Sequence, residues 1–299
     1  MCGRTDLDIH FLIGGTQTNF TVIAAALRPH QCVLCADTGH INVHESGAVE
    51  ACGHKVSAIP SPDGKLTARQ IEEAWHAHWD DETREHMPQP RMVYISQPTE
   101  LGTIYSRKEL QEISGVCRRR GLYLYMDGAR LGYGLCDEDN DLDLPAIASL
   151  CDAFYIGGTK VGALFGEALV LRHEALKEDF RYIAKQKGGR LAKGRLLGIQ
   201  FLELFRDGLY FRLGAHADRL AVMLRDFCRS RGLSLPFSSG TNQQFVTMPD
   251  SVLEELGRKY GFAYLRREDE THSTVRFCMS WATREEDVRE LMADIARLC

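Results

Sequence analysis

Phe154-Tyr155-Ile156-Gly157-Gly158-Thr159-Lys160-Val161-Gly162-Ala163 decides how this chain is read. An apolar, strand-like run enters the segment, glycines surround a single lysine, and a second apolar run, Ala168-Leu169-Val170-Leu171, follows. Two readings of Lys160 are open. It is a surface lysine at the end of a buried strand, or an amine held where water is scarce. In the second case its pKa falls and it becomes a carbonyl nucleophile, as a Schiff base requires. The residue that weighs between them lies in a second, upstream strand: Asp127 in Tyr123-Leu124-Tyr125-Met126-Asp127-Gly128-Ala129-Arg130.

Outward from these two segments, strand and helix signals alternate. Apolar runs at 10–13, 32–36, 56–59, 92–95, 122–126, 153–156 and 168–171 predict strands. Helices are expected over 16–27, 41–52, 67–79, 106–120 and 144–150, with Thr67 and Ser106 as N-caps and Glu109 completing a capping box. Strands separated by helices of this length imply a mainly parallel α/β sheet with helices on both faces. After residue 172 the pattern changes to a long helical region over 174–227, interrupted at Gly188-Gly189. Short strands at 233–235, 244–248, 264–265 and 275–280 and helices over 251–260 and 284–298 follow. The expected division is a large domain, 1–204, and a smaller C-terminal α+β domain, 205–299.

Composition limits the function classes. Hydrophobic residues make up 44% and charged residues 26% of 299, as in an ordinary globular protein. A net charge of -5 gives no reason to expect nucleic acid as a partner. No apolar stretch approaches the roughly 18 residues that span a membrane, and Met1-Cys2-Gly3-Arg4-Thr5-Asp6 has no apolar signal core. The 10 cysteines are scattered through apolar runs without a paired zinc spacing, which implies reduced thiols, a cytoplasmic location and no metal. Cys32 and Cys35 share a strand and should point to opposite faces.

Four stretches carry chemistry. Asp127 ends a buried strand, where open α/β sheets place ligands. It is a helix cap or ion-pair partner of Arg130, or it holds the protonated ring nitrogen of a pyridine cofactor and makes that ring an electron sink. Gly14-Gly15-Thr16-Gln17-Thr18-Asn19 follows the first strand and opens a helix. It is an ordinary turn, or a loop whose free N–H groups bind one monoester phosphate; neither the Walker nor the dinucleotide pattern is present. His40, in Asp37-Thr38-Gly39-His40-Ile41-Asn42, is a cap or surface group, or stacks on an aromatic ring.

In this order the four stretches resemble the low-specificity threonine aldolases, fold-type I pyridoxal 5'-phosphate (PLP) enzymes of the aromatic amino acid β-eliminating lyase superfamily. The strongest pieces are His10-Phe11-Leu12-Ile13-Gly14-Gly15-Thr16-Gln17-Thr18-Asn19, Gly39-His40-Ile41-Asn42-Val43-His44-Glu45-Ser46-Gly47-Ala48, Asp127-Gly128-Ala129-Arg130-Leu131 and Gly157-Gly158-Thr159-Lys160. The resemblance implies that Lys160 carries PLP as a Schiff base, His40 stacks on the ring, Asp127 binds the ring nitrogen, and Gly15 and Thr16 hold the phosphate. It puts Arg130 near the substrate carboxylate and ring hydroxyl, and gives Arg276 the task of binding that carboxylate. Arg195 is a solvated helix residue or, by the resemblance, reaches a neighbouring subunit's phosphate. Glu45 supports the helix after His40.

The implied reaction is retro-aldol cleavage of threonine or allo-threonine to glycine and acetaldehyde, in a homodimer or homotetramer whose site lies at a subunit interface. Water near His40 or Glu100 is the candidate base. Two departures bear on this. Thr99, in Ser96-Gln97-Pro98-Thr99-Glu100, stands where a substrate-binding histidine is expected. Only thirteen residues precede Gly14, so the family's N-terminal segment is expected to be lacking. The alternatives are another PLP-dependent β-elimination or racemisation of a small amino acid, or a truncated PLP-binding protein with little activity.

Overall fold

The apolar runs of the first 171 residues assemble into one seven-stranded sheet. In the computed structural model, which describes residues 1–299, the first half runs β1 (Asp8–Leu12), α1 (Gly15–Ala26), β2 (Gln31–Ala36), α2 (His40–Val43), α3 (Ala48–Ala51), β3 (Lys55–Ile59), α4 (Ala68–Trp79), β4 (Gln89–Ser96) and α5 (Arg107–Arg120). It continues with β5 (Tyr123–Asp127), α6 (Leu131–Gly134), α7 (Leu144–Leu150), β6 (Ala153–Gly157) and β7 (Glu167–Leu171). The strand order is β1-β7-β6-β5-β4-β2-β3, and β7 alone runs against the others. This is the mainly parallel α/β sheet expected from the alternation.

Period-two alternation sends side chains to two apolar layers. Leu124 and Met126 of β5 join one layer, Tyr123 and Tyr125 the other. Residues of α1, α3 and the segment 176–184 cover the tyrosine face, and α4, α5 and α7 cover the opposite one. Both α4 and α5 begin with the capping boxes expected at Thr67 and Ser106.

The remainder comprises α8 (Glu174–Lys177), α9 (Phe180–Gln186), α10 (Arg195–Phe205), α11 (Leu209–Ser230), β8 (Gln243–Pro249), α12 (Asp250–Gly257), β9 (Ala263–Arg267), β10 (His272–Cys278) and α13 (Glu285–Leu298). A second, antiparallel sheet has the order β8-β10-β9. Val246, Met248 and Val275 of that sheet share one continuous core with Val93 and Leu124 of the first.

Three expected elements differ. The helix over 41–52 is two short helices, α2 and α3, because Ser46 and Gly47 take left-handed backbone angles (φ 54° and 70°). The long helical region over 174–227 is four helices, broken by left-handed Asp179, Gly188, Asp207 and Gly208. The strand expected at 233–235 reduces to one bridge, Ser234 to Thr247. All 10 cysteines are free thiols.

Asp218 of α11 is a buried carboxyl group with neither oxygen hydrogen-bonded. Burial, and then the charge of Asp137, pushes its pKa from 3.8 up to about 9. Between those two values the unfolded chain ionises this group while the native chain keeps it protonated, so stability is lost as pH rises through the window. Asp218→Asn should therefore raise the melting temperature at pH 8 relative to pH 5 by a few degrees, which corresponds to about 1 kcal/mol in a chain of this length. Thermal scans of both proteins at the two pH values check this.

Candidate active site

Parallel strands bring their C-terminal ends to one edge, and the register aligns the residues found there. Ser96 of β4 lies opposite Asp127 of β5, Gly157 of β6 opposite Glu167 of β7, and Leu12 of β1 on the other side of Glu167. At this edge a cleft of about 110 Å³ is lined by Gly15, Thr16, Asn19, His40, Ser96, Pro98, Glu100, Asp127, Ala129, Arg130, Tyr155 and Lys160. Lys160, His40, Asp127, Gly15, Thr16 and Arg130 thus come together from four separate stretches of chain.

Asp127 is 5% exposed, and its charge needs compensation. Oδ1 accepts the Tyr155 hydroxyl at 2.6 Å and the Ala129 N–H at 2.9 Å. Oδ2 accepts the Tyr94 hydroxyl at 2.6 Å and the Asn19 amide at 2.9 Å. Burial raises the carboxyl pKa, but the hydrogen bonds from Tyr155, Tyr94, Ala129 and Asn19 outweigh it and hold Asp127 below its ordinary value. Arg130 is not one of these partners, so the ion-pair reading of Asp127 falls.

Asn19 binds two carboxylates at once. Its Nδ2 donates to Asp127 and to Glu45 Oε1 at 2.6 Å, while its Oδ1 accepts the Tyr125 hydroxyl at 2.7 Å. Glu45 Oε1 also accepts His40 Nδ1 at 2.8 Å. The imidazole is fixed through this contact. Burial lowers its pKa, the bond to Glu45 and the charges of Asp127 and Glu100 raise it, and the net direction is upward. The His40 N–H donates to Glu100 Oε1 at 2.9 Å, and Ser96 Oγ donates to the same atom at 2.7 Å. Burial raises the Glu100 pKa, against the Ser96 bond.

The Asp127 and Lys160 loops are fastened by backbone. Gly157 N–H donates to Gly128 O at 2.9 Å. A Cβ on Gly128 would lie 1.8 Å from Tyr155 O, and one on Gly157 would lie 2.3 Å from Ala129 O. Only glycine permits this crossing. Lys160 remains reachable from solvent through the cleft mouth. Protein on its other sides desolvates the amine; with repulsion from Arg130, this lowers its pKa against the pull of Asp127 and Glu167.

Gly14 supplies no side-chain cap to α1 and the helix's first turn carries no acidic residue, so the helix start faces the cleft without an internal anion.

Three candidates lie outside the lining. Thr99 is fully buried, its Oγ1 2.7 Å from Thr103 Oγ1, with Pro98 and Glu100 facing the cleft instead. This corrects the expectation that Thr99 takes the place of a substrate-facing histidine. Arg195 is exposed at the start of α10. Arg276, on β10, donates through Nη1 to Gln243 Oε1 at 3.2 Å and leaves a buried Nε without a partner. Its charge is felt at both Lys160 and His44. Sequence reading missed Asn19, Tyr94 and Tyr155; Tyr94 and Tyr155 stand among apolar strand residues, where a tyrosine reads as packing.

A mostly parallel sheet with a lysine and a buried aspartate at one edge is the architecture of the fold-type I PLP enzymes. The chain belongs to the β-eliminating lyase family, whose pattern matches residues 6–251, and that family is PLP-dependent. It is 35% identical to a low specificity L-threonine aldolase of Pseudomonas sp. (strain NCIMB 10558), over 98% of this chain and 83% of that protein. A structure of Leishmania major threonine aldolase superposes with a TM-score of 0.96 at 44% identity, covering 99% of this chain and 86% of the other. An aspartate aminotransferase from Thermus thermophilus shares the fold alone, with 15% identity and a TM-score of 0.71 over 98% of this chain and 76% of that one.

Replacing Asn19 by Ala should destabilise the protein by about 1–3 kcal/mol, because two buried carboxylates and the Tyr125 hydroxyl lose their shared partner. Urea denaturation of wild type and variant measures this.

Proposed function

We propose that this protein cleaves threonine and allo-threonine to glycine and acetaldehyde with PLP bound in the cleft. The observation that carries the reading is the pairing, on one sheet edge, of the cleft lysine Lys160 with an aspartate held ionised by four donors. The donor set fits the cofactor. Lys160 supplies the amine, Asp127 a carboxylate for the ring nitrogen, and the uncapped start of α1 at Gly15 and Thr16 an anion site. PLP, when bound, supplies an electron sink for the bond broken at the substrate α-carbon.

The chain's own residues do the rest. His40 presents an imidazole whose orientation Glu45 fixes. Arg276 and Arg130 attract the substrate carboxylate, and a guanidinium suits the bidentate contact. That contact sets which bond at the α-carbon is aligned for cleavage. Water near His40 or Glu100 is the candidate acceptor for the proton of the β-hydroxyl. The lowered pKa of Lys160 favours its neutral, nucleophilic form.

We also assign residues 1–204 to a large cofactor-binding unit and 205–299 to a smaller one that closes over it. A second copy of the chain is expected to cover the outer face of α10, where Leu196, Ile199 and Leu202 are 52%, 49% and 62% exposed. Arg195 begins that helix, which supports a role for it across such an interface, at the neighbouring phosphate. No helix is long and apolar enough to cross a membrane, and the free thiols are consistent with a cytoplasmic site of action. The second reading is elimination or racemisation of another small amino acid.

Two measurements test this function. Borohydride reduction of the PLP-loaded protein should attach the cofactor to the peptide containing Lys160, and Lys160→Ala should abolish both the attachment and acetaldehyde release. A cofactor attached elsewhere removes the assignment; turnover of other amino acids without acetaldehyde supports the second reading. Arg276→Gln should lower kcat/KM for allo-threonine by about 10- to 100-fold, chiefly through KM, the size expected for a lost charge-assisted hydrogen bond.

A further inference from the structure

Glu167 lies behind the Lys160 loop and has no part in the reaction described above. It opens β7, the single strand that runs against the rest of the sheet, so its side chain stands at the same edge as Asp127 and Gly157. It is 3% exposed, between Leu12 of β1 and Gly157 of β6. A carboxylate at such a place is costly unless hydrogen bonds or a counter-charge compensate it.

The local geometry ties it to the lysine. Glu167 Oε2 accepts the Gly158 N–H at 3.0 Å. The Gly158 and Thr159 N–H groups both donate to Gly166 O at 3.1 Å, and Gly166 N–H returns a bond to Thr159 Oγ1 at 3.0 Å. Residues 158–159 are thus clamped against 166–167, and Lys160 is the next residue. The other groups around this carboxylate are the phenols of Tyr125, Tyr155 and Tyr210 and the carboxylate of Asp127. The cation facing it is Lys160.

We propose that Glu167 is a positioning residue for Lys160: it anchors the lysine loop through Gly158 and adds, beside Asp127, a second counter-charge for the Lys160 amine. Burial pushes the Glu167 pKa up to about 7, against the Thr159 and Gly158 hydrogen bonds and the charge of Lys160. Glu167 therefore changes charge across the neutral range, and the two groups titrate as a pair. Below that range a neutral Glu167 leaves Asp127 as the carboxylate that supports the amine. Above it, the carboxylate favours the ammonium and opposes the desolvation and the repulsion from Arg130 and Arg276. The inference deepens the assignment of Lys160 to the cofactor and rests on it for its catalytic meaning.

The test uses cofactor-free full-length protein, so it does not depend on PLP binding. Lys160 is labelled with acetic anhydride across a pH series and read by peptide mass spectrometry against exposed Lys193. Glu167→Gln keeps an acceptor for Gly158 but removes the charge. Labelling of Lys160 at pH 8 should rise at least about threefold, because an adjacent carboxylate no longer favours the ammonium. Glu167→Asp, which keeps the charge, should stay closer to wild type than the Gln variant. Unchanged labelling in Glu167→Gln, or an equal rise in both variants, overturns the proposal in favour of a purely structural carboxylate. If the Gln variant does not fold, the wild-type profile decides: a second inflection near neutral pH supports the coupling, and a single step overturns it. Failure of the cofactor reading would show separately, as wild-type protein that gains no Lys160-dependent absorption band with PLP.

Discussion

A buried carboxylate with four donors organises this molecule. Asp127 can remain charged at the end of a central strand only if Tyr94, Tyr155, Asn19 and Ala129 all keep their places. Those donors come from the strands on either side, from α1 and from the loop that follows. The requirement therefore fixes the mutual position of three strands and one helix, well beyond the needs of apolar packing. Each buried hydrogen bond contributes about 1 kcal/mol net, but leaving a buried partner unsatisfied costs more than that. The asymmetry makes the arrangement specific, since alternative registers would strand the charge.

Asn19 extends the same logic to His40. One amide nitrogen serves Asp127 and Glu45, and Glu45 in turn holds the imidazole. Electrostatic roles diverge along this path although the residue types repeat. Asp127 is kept ionised by donors, Glu100 is pushed toward its neutral form by burial, and Glu167 ionises in the neutral range. Three carboxylates at one sheet edge have three protonation behaviours because their hydrogen-bond supply differs.

Much of this was legible in the chain. Lys160, Asp127, His40 and the Gly15-Thr16 turn stood out because charged or glycine-rich residues at the ends of apolar strands are costly without a purpose. Strand positions followed from apolar runs bounded by turn residues. What stayed hidden has physical reasons. Tyr94, Tyr125 and Tyr155 read as packing, since a strand tyrosine's hydroxyl partner is set by neighbouring strands far away in sequence. Asn19 lies inside a helix, where nothing local indicates which side chains it will meet. The break at Ser46-Gly47 was invisible because a non-glycine residue with positive φ leaves little mark on composition. Thr99 was misplaced by one residue's direction: its neighbours Pro98 and Glu100 face the cleft.

The glycine crossing at Gly128 and Gly157 has a mechanical consequence. Because the two loops share a backbone hydrogen bond with no room between them, the lysine and the aspartate form one stiff unit and cannot be drawn apart to let a ligand in. Room for a ligand has to come from the rest of the lining, the segments that carry His40, Pro98 and Glu100. The catalytic edge acts as an anvil against which any ligand must be fitted.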